Sequence, residues 1–313
     1  MNKPETVISH CVAYYHRFVI NMADILKIPN IYDGTSGFKL LFDIWNDYNQ
    51  SNNLQFDFSE CTFIKQNGVA FLAGLASQIR KNGGDVSIDE CTFVPQVRMN
   101  LAQNGFLKEI TGECEPWDGN SVPLMQCFPR DVNSIERYLA NQWIGKGWIH
   151  TSNLLSEKIC GNVLELYANA FEHSSSEIGV FTCGQRFPKK NSLILTIIDF
   201  GIGIPQSLND YFKESGESFY GNSRLEMAFQ DGFSTKKRER PRGIGLDLLK
   251  DFIQKNHGSM DIYSNNEYAH ITSTEINYMI KDFYFNGTAI NIKLMCDEKY
   301  YLIEGESVDQ PYF

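Results

Sequence analysis

The sequence predicts a two-domain protein of mixed α/β and α+β class. Its 313 residues are about twice the length of a common single domain. Hydrophobic residues make up 42% of the chain, which is enough to build sizeable cores and excludes an intrinsically disordered protein. Strand-like and helix-like hydrophobic periods also alternate in two stretches, on either side of a segment rich in proline and glycine.

The N-terminal 50 residues are expected to form a helical segment. Helical periodicity covers residues 7–25 and 38–48, and the turn-forming residues 29–34 separate the two stretches. Neither stretch carries a recognisable catalytic or ligand-binding motif.

Residues 51–111 are predicted to form a small α/β domain. Alternating apolar residues from Leu54 indicate a strand, and a helix with one apolar face follows from Gly68. A second strand over residues 85–88 and a second helix over residues 95–103 complete a β-α-β-α unit.

Residues 112–150 are predicted to be a linker with edge elements, including an edge strand over residues 122–128. The pattern restarts in a second, α+β domain over residues 151–296, and residues 297–313 form a C-terminal tail. The predicted elements of the second domain are a helix over residues 152–173, a strand over 193–198, a helix over 246–256 and strands over 260–264 and 288–294.

Charge and composition exclude several classes of protein. The 28 Lys and Arg residues against 38 Asp and Glu residues give a net charge of −10, which argues against nucleic-acid or anionic-membrane binding by the whole surface. The apolar runs are far shorter than the roughly 18 residues that a membrane span needs. Eight scattered cysteines without zinc-like spacing are typical of a reduced protein, so we expect a cytoplasmic location.

Three polar segments carry candidate chemistry, and the first lies on the long helix. Glu165 and Asn169 are one helical turn apart, while Val163, Leu164, Tyr167 and Phe171 define an apolar face. A stripe of this kind fits a solvated helix surface as well as a site when it is considered alone.

The second segment follows the apolar strand at residues 193–198. Asp199 ends this strand, and Gly201 and Gly203 follow at alternate positions. The carboxylate can accept a hydrogen bond from an exocyclic amine, while the glycines let the backbone approach a flat ligand closely. Adenine fits this pattern better than guanine, and an ordinary turn with a helix-capping Asp is the alternative.

The third segment combines cations with glycines at the start of a helix. Five cations lie between Lys236 and Arg242, and Gly243, Gly245 and Leu246 come next. Amide groups at a helix N-terminus and the helix dipole favour a phosphate there. A solvated basic loop is the alternative for the cation run.

The order of these segments, followed by Thr288 at the entry of the last strand, resembles the GHKL superfamily of ATPases and kinases. This superfamily includes sensor histidine kinases, anti-sigma-factor kinases and type II topoisomerases. The resemblance spans residues 155–296 and implies an α/β-sandwich (Bergerat) fold that binds ATP with Mg²⁺. The phosphoacceptor helix hairpin of sensor kinases is not apparent in the sequence.

The resemblance also implies roles for individual residues. Glu165 is similar to the general base, Asn169 to the Mg²⁺ ligand and Asp199 to the adenine-binding residue. Residues 204–242 are expected to form a mobile lid over the nucleotide. The remaining implied ATP contacts are Gly201, Gly203 and Thr288 around the base and Lys236, Gly243, Gly245 and Leu246 around the phosphates.

The first domain resembles a STAS domain, the fold of anti-sigma-factor antagonists, through residues 56–72 and 94–106. The position of the serine that is phosphorylated in that family holds Asn67, which has no hydroxyl group. The resemblance therefore implies a docking or dimerisation element whose exposed surface, including the turn at Gln66 and Asn67, contacts the ATP domain or a partner. A generic small α/β domain is the alternative.

Together these features predict a regulatory, Mg-ATP-dependent ATPase or protein kinase with a protein partner. Glu165 favours turnover, since a protein that only binds ATP needs no base at that position. An ATP-gated interaction switch with little turnover is the alternative. Another STAS-like protein is a candidate partner, and a homodimer remains open.

Overall fold

Four layers of secondary structure are stacked in the computed structural model, which describes residues 23–216, 218–229 and 244–306. The helices are α1 Thr35–Tyr48, α2 Gln66–Lys81, α3 Pro95–Gln103, α4 Phe106–Thr111, α5 Val132–Tyr138, α6 Asn153–His173, α7 Ile204–Ser215, α8 Arg224–Ala228 and α9 Ile244–Lys255. The strands are β1 Asp24–Lys27, β2 Asn53–Asp57, β3 Asp85–Asp89, β4 Ser121–Cys127, β5 His150–Thr151, β6 Val180–Phe187, β7 Ser192–Asp199, β8 Ser259–Thr272, β9 Ile276–Met295 and β10 Tyr300–Tyr301.

The first layer is a three-stranded parallel sheet in the order β1-β2-β3. We refer to residues 24–111, which hold this sheet and α1 to α4, as the N-terminal unit. The predicted helix over residues 7–25 is wrong at its end, because Asp24 and Ile25 pair with β2 as part of a strand. The rest of that predicted helix lies outside the described residues.

The second layer contains α2, which is buried on two sides. It contacts β2 and β3 of the small sheet on one side and β6 and β7 of the large sheet on the other. The sequence indicates only one apolar face, but small residues such as Ala70, Ala73 and Gly74 line much of the rest. Every residue from Gln66 to Ala76 is buried, because small side chains let a second sheet approach the helix closely.

The third layer is a five-stranded antiparallel sheet in the order β4-β6-β7-β9-β8. Its central strand β7 is buried along its whole length, because α2 covers one face of the sheet and α6 and α9 cover the other. The predicted strand over residues 193–198 matches β7, and β4 is an edge strand as expected, but β6 was not predicted from the sequence. The predicted strands at residues 260–264 and 288–294 are only the inner halves of β8 and β9, which continue as a long hairpin.

One apolar core joins the N-terminal unit to the large sheet. Phe38, Phe42 and Trp45 of α1 pack with Tyr263 and Phe285 of the sheet, and α2 packs with them. The two parts of the chain therefore share a core.

Polar contacts within this interface join the same two parts. Gln66 Nε2 donates hydrogen bonds of 3.2 Å to Thr196 Oγ1 and to Asn291 Oδ1 of the sheet. Gln66 and Asn67 are buried, so the expectation that their turn forms an exposed surface is wrong. Gln66 therefore contacts the large sheet directly.

The fourth layer contains α6 and α9, and a second apolar core lies between this layer and the other face of the large sheet. It is built by α5, α6 and α9 against apolar residues of β7, β8 and β9. Among the described residues, no helix has both the length and the apolar character needed to cross a membrane.

Candidate functional site

Helix α6 carries the first two candidate residues along one edge of the second core. It begins after Ser152, whose side chain accepts a hydrogen bond of 3.1 Å from the Leu155 amide and so caps the helix. Val163 and Tyr167 are buried as expected. Leu166 is also buried, whereas Leu164, which the sequence predicted to be on the buried face, is only partly buried. Glu165, Asn169 and His173 are half-buried at successive helical turns.

The C-terminal end of α6 contacts the turn that follows β7. The Ile202 amide donates a hydrogen bond of 2.7 Å to the Ser174 carbonyl, and a Cβ atom at Gly201 would overlap that carbonyl. Ser174 lies five residues beyond Asn169, or about 7 Å along the helix axis. The C-terminal end of α6 is therefore held against the Asp-Gly turn.

Asp199 is positioned at the end of β7, directly opposite Thr288 of β9. Alternation along the strand places the Asp199 side chain on the face that α6 covers, together with Leu195 and Ile197. Its Oδ1 accepts a hydrogen bond of 3.0 Å from the Gly201 amide. The predicted adenine-binding Asp, the first glycine and the strand threonine are thus neighbours.

The electrostatic environment of Asp199 is unusual for a carboxylate. The side chain is 3% exposed, and no cation in the described part of the chain forms an ion pair with it. Burial raises the pKa of Asp199 to about 7, and hydrogen bonds from Gly201 and Thr288 lower it only in part. A buried carboxylate of this kind suits a ligand that donates a hydrogen bond, such as an exocyclic amine.

Two residues that the sequence analysis missed support this turn from β8. Ser264 Oγ accepts a hydrogen bond of 2.8 Å from the Ile204 amide and lies 3.0 Å from Thr288 Oγ1. Asn265 has a positive φ of 52°, donates to the Ile202 carbonyl and accepts from the Gln206 amide. The one local signal is an asparagine directly after the predicted strand over residues 260–264, since asparagine tolerates left-handed backbone.

Gly203 requires its glycine for two reasons. Its φ of 82° lies in the left-handed region, and a Cβ atom would come within 2.5 Å of Asn265 Nδ2. The glycine pattern therefore reflects close approach around the turn. Helix α7 begins at Ile204 immediately afterwards.

The segment expected to be a mobile lid contains packed structure over its first part. Residues 204–215 and 224–228 form α7 and α8, which lie against β8. Buried Glu267 of β8 accepts hydrogen bonds from the Ser223 hydroxyl at 2.7 Å and from the Leu225 amide at 2.9 Å. These packed helices occupy the first part of the segment expected to be a lid over residues 204–242, and residues 230–242 lie outside the described residues.

Of the four predicted phosphate contacts, Lys236 and Gly243 lie outside the described residues. Gly245 and Leu246 fall in the first turn of α9, as expected for a phosphate-binding helix start. Asn162 of α6 accepts a hydrogen bond of 3.0 Å from the Leu249 amide of α9. This contact holds the two helices side by side.

The donor set suits a magnesium ion that is bound together with a nucleotide. No group of three His, Cys, Asp or Glu side chains within the described ranges could hold a metal. The Asn169 side-chain amide, at a half-buried position of α6, supplies the oxygen donor that the sequence predicts for this ion. Mg²⁺ prefers oxygen ligands and is usually held by one or two protein groups, substrate phosphates and water.

A cavity of about 520 Å³ opens beside the Asp-Gly turn, on the side of the N-terminal unit. Trp45, Gln78, Phe200 and Tyr284 are among its lining residues. It therefore lies behind the turn, on the face opposite Asp199.

Part of the second half of the chain matches a known protein family. Residues 158–293 match the family described as histidine kinase-, DNA gyrase B-, and HSP90-like ATPase. No curated protein shows a significant sequence match to the chain. The matched range begins in α6, ends in β9 and contains Glu165, Asn169, Asp199 and Thr288. Residues 158–293 are thus similar to the GHKL-type, ATP-binding domains of this family.

Proposed function

We propose that the chain is a Mg-ATP-dependent ATPase or protein kinase. The observation that carries the proposal is the buried Asp199 carboxylate, which lies without an ion-pair partner among the described residues at a glycine turn held to the end of α6. In the proposed complex the exocyclic amine of adenine donates to Asp199. GTP presents a carbonyl oxygen there and is excluded.

The catalytic step in this proposal is in-line attack on the γ-phosphate. The Glu165 carboxylate takes a proton from water, or from an acceptor hydroxyl, as the new P–O bond forms and ADP leaves with the electrons of the broken bond. Asn169 would hold Mg²⁺, which neutralises charge on the phosphate oxygens. Gly245 and Leu246 belong to the helix start that would face the phosphates.

The N-terminal unit enters the proposal as a STAS-like, regulatory element with a protein partner. Its order of strands and helices supports this assignment, and Asn67 is buried with its amide donating to the Tyr32 carbonyl. Phosphorylation of this turn has no part in the proposal. We further propose that the partner is either another STAS-like protein or a second copy of the chain.

The experiment is incubation of the full chain with γ-labelled ATP and Mg²⁺, alone and with proteins that copurify. Released phosphate indicates an ATPase, and a labelled protein indicates a kinase. Glu165→Gln is expected to keep ATP affinity within a few-fold and to lower turnover by roughly 10²- to 10⁴-fold. Glu157→Gln, at an exposed position of the same helix, is the matched control.

An ATP-gated switch with little turnover is the second candidate. Its supporting observation is that Phe200, the residue after Asp199, is buried in the shared core and links the site to the N-terminal unit. Tight ATP binding with neither phosphate release nor transfer would select it. Absence of ATP binding would overturn both candidates.

A further inference from the structure

Phe200 connects the nucleotide-binding turn to the N-terminal unit. Asp199 and Phe200 are neighbours in the chain, but they lie on opposite faces of the sheet. The Phe200 side chain is 8% exposed, and its ring centroid lies 4.6 Å from Trp45, 5.2 Å from Phe71 and 5.7 Å from Phe285. We call this arrangement the aromatic socket.

Gly74 of α2 makes the socket large enough for the ring. A Cβ atom at Gly74 would overlap Cε2 and Cζ of Phe200. Glycine inside a helix is less favourable than alanine by about 1 kcal/mol. The close contact with Phe200 gives a physical reason for a glycine at this interior position of α2.

Trp45, Phe71 and Gly74 of the socket belong to the N-terminal unit, whereas the groups proposed to bind adenine belong to the turn. Asp199 and Gly201 flank Phe200, so each Cα atom is only 3.8 Å from that of Phe200. A shift of the ring therefore moves the backbone that sets the Asp199 carboxylate and the Gly201 amide. Hydrogen bonds weaken steeply with changes of distance and angle.

We infer that Phe200 is a positioning residue for adenine and that the N-terminal unit, through Trp45, Phe71 and Gly74, sets the nucleotide affinity of the site. This inference rests on the proposed ATP-binding function. It assigns to the N-terminal unit an indirect role in nucleotide binding, through side chains that lie on the far face of the sheet and contact Phe200. The role requires no contact between those side chains and ATP.

The first test compares two glycine substitutions in α2. Gly74→Ala crowds Phe200, whereas Gly68→Ala crowds Ile31 and Ile64, whose side-chain atoms would lie 2.9 Å from the new Cβ. Both substitutions overpack the same helix, but only the first acts on the turn. The measurements are calorimetric Kd values for ATP and ADP and the melting temperature of the full chain.

The expected result is that Gly74→Ala weakens ATP and ADP binding about tenfold and by the same factor. The equal factor follows because the displaced turn contacts the base, which the two nucleotides share. Gly68→Ala is expected to bind both nucleotides within twofold of wild type, whatever its melting temperature.

A second pair of variants tests the ring itself. Phe200→Leu and Phe42→Leu each remove one aromatic ring from the shared core, and Phe42 stacks on Phe285 at 4.4 Å. Both are expected to lower the melting temperature, but only Phe200→Leu weakens nucleotide binding. The Gly74→Ala/Phe200→Leu double variant should bind no more weakly than the weaker single variant, because both act through one contact.

The outcomes separate this inference from the proposed function. If wild type binds neither nucleotide, both are overturned. If wild type binds ATP while Gly74→Ala and Phe200→Leu bind it equally well, only the role of the socket is overturned. If Gly74→Ala does not fold, the comparison of Phe200→Leu with Phe42→Leu decides.

Discussion

The buried carboxylate of Asp199 makes the stability of the free protein depend on pH. Its pKa is raised to about 7 from 3.8, so between these values the folded chain holds a proton that the unfolded chain has lost. The free energy of unfolding therefore falls as pH rises through this window and levels off above pH 7. Between pH 5 and pH 8 the loss amounts to roughly 2 to 3 kcal/mol, at about 1.4 kcal/mol per pH unit up to the pKa.

Asp199→Asn removes this titration while nearly preserving the shape of the side chain. The variant is expected to gain stability over wild type progressively from pH 5 to pH 7 and to keep a constant advantage above pH 7. Urea unfolding of both proteins at pH 5, 6, 7 and 8 measures the difference. Asp251→Asn, at an exposed position on α9, is the matched control and should show no such trend.

The same substitution should weaken ATP and ADP binding about tenfold. A hydrogen bond to a charged acceptor contributes about 1 to 1.5 kcal/mol more than a neutral one. Hydrogen bonding to the adenine amine favours the ionised form of the Asp199 carboxylate. Near pH 7, wild type should therefore release more protons on binding ADP than the Asp199→Asn variant does. Calorimetry in two buffers measures this difference. Unchanged affinity together with a stability difference that does not vary with pH would refute the assignment of Asp199 to adenine.

Three further outcomes are expected. Asn169→Ala should weaken ATP binding in Mg²⁺ much more than in EDTA, and equal losses in both would contradict a metal-ligand role. A fragment of residues 112–313 should be insoluble or unfolded, because it exposes the sheet face that α2 covers; a folded fragment that binds ATP would contradict the shared core. Asn265→Gly can keep the left-handed backbone but loses the hydrogen bond to the Ile202 carbonyl, so it should weaken ATP binding several-fold, as measured by calorimetry. Asn266→Gly is the control. Equal ATP affinity of the two variants would argue against a role of Asn265 in supporting the turn.

Local signals in the sequence were sufficient for several elements. Helix α3 begins at Pro95 and ends before Asn104-Gly105, as predicted, because proline suits the first helical turn and Asn-Gly ends a helix. The apolar run before Asp199 correctly predicted the central strand. These features depend on residues that are close together in the chain.

The long β8–β9 hairpin was not predictable in the same way. The strand predictions stop at Ser264 and resume at Thr288, because polar residues such as Asn265 and Glu267 interrupt the alternation between them. In the structure those side chains are buried and form hydrogen bonds to distant segments; Glu267, for example, accepts a hydrogen bond from the Ser223 hydroxyl. A buried polar residue cannot be recognised in the sequence when its partner lies about 40 residues away.

Hydrophobic periodicity and motif order were sufficient to predict several of the elements and the order of Glu165, Asn169, Asp199 and Thr288, and these four residues lie within the range that matches the ATPase family. The cover on both sides of α2 and the packing of the Phe200 side chain against the N-terminal unit become apparent only in the tertiary structure. Hydrophobic periodicity indicates that a face is buried but does not say which surface covers it. In this protein the small side chains of α2 and the register of the sheet determine which surface covers α2, because they allow close approach between parts of the chain that are more than 100 residues apart.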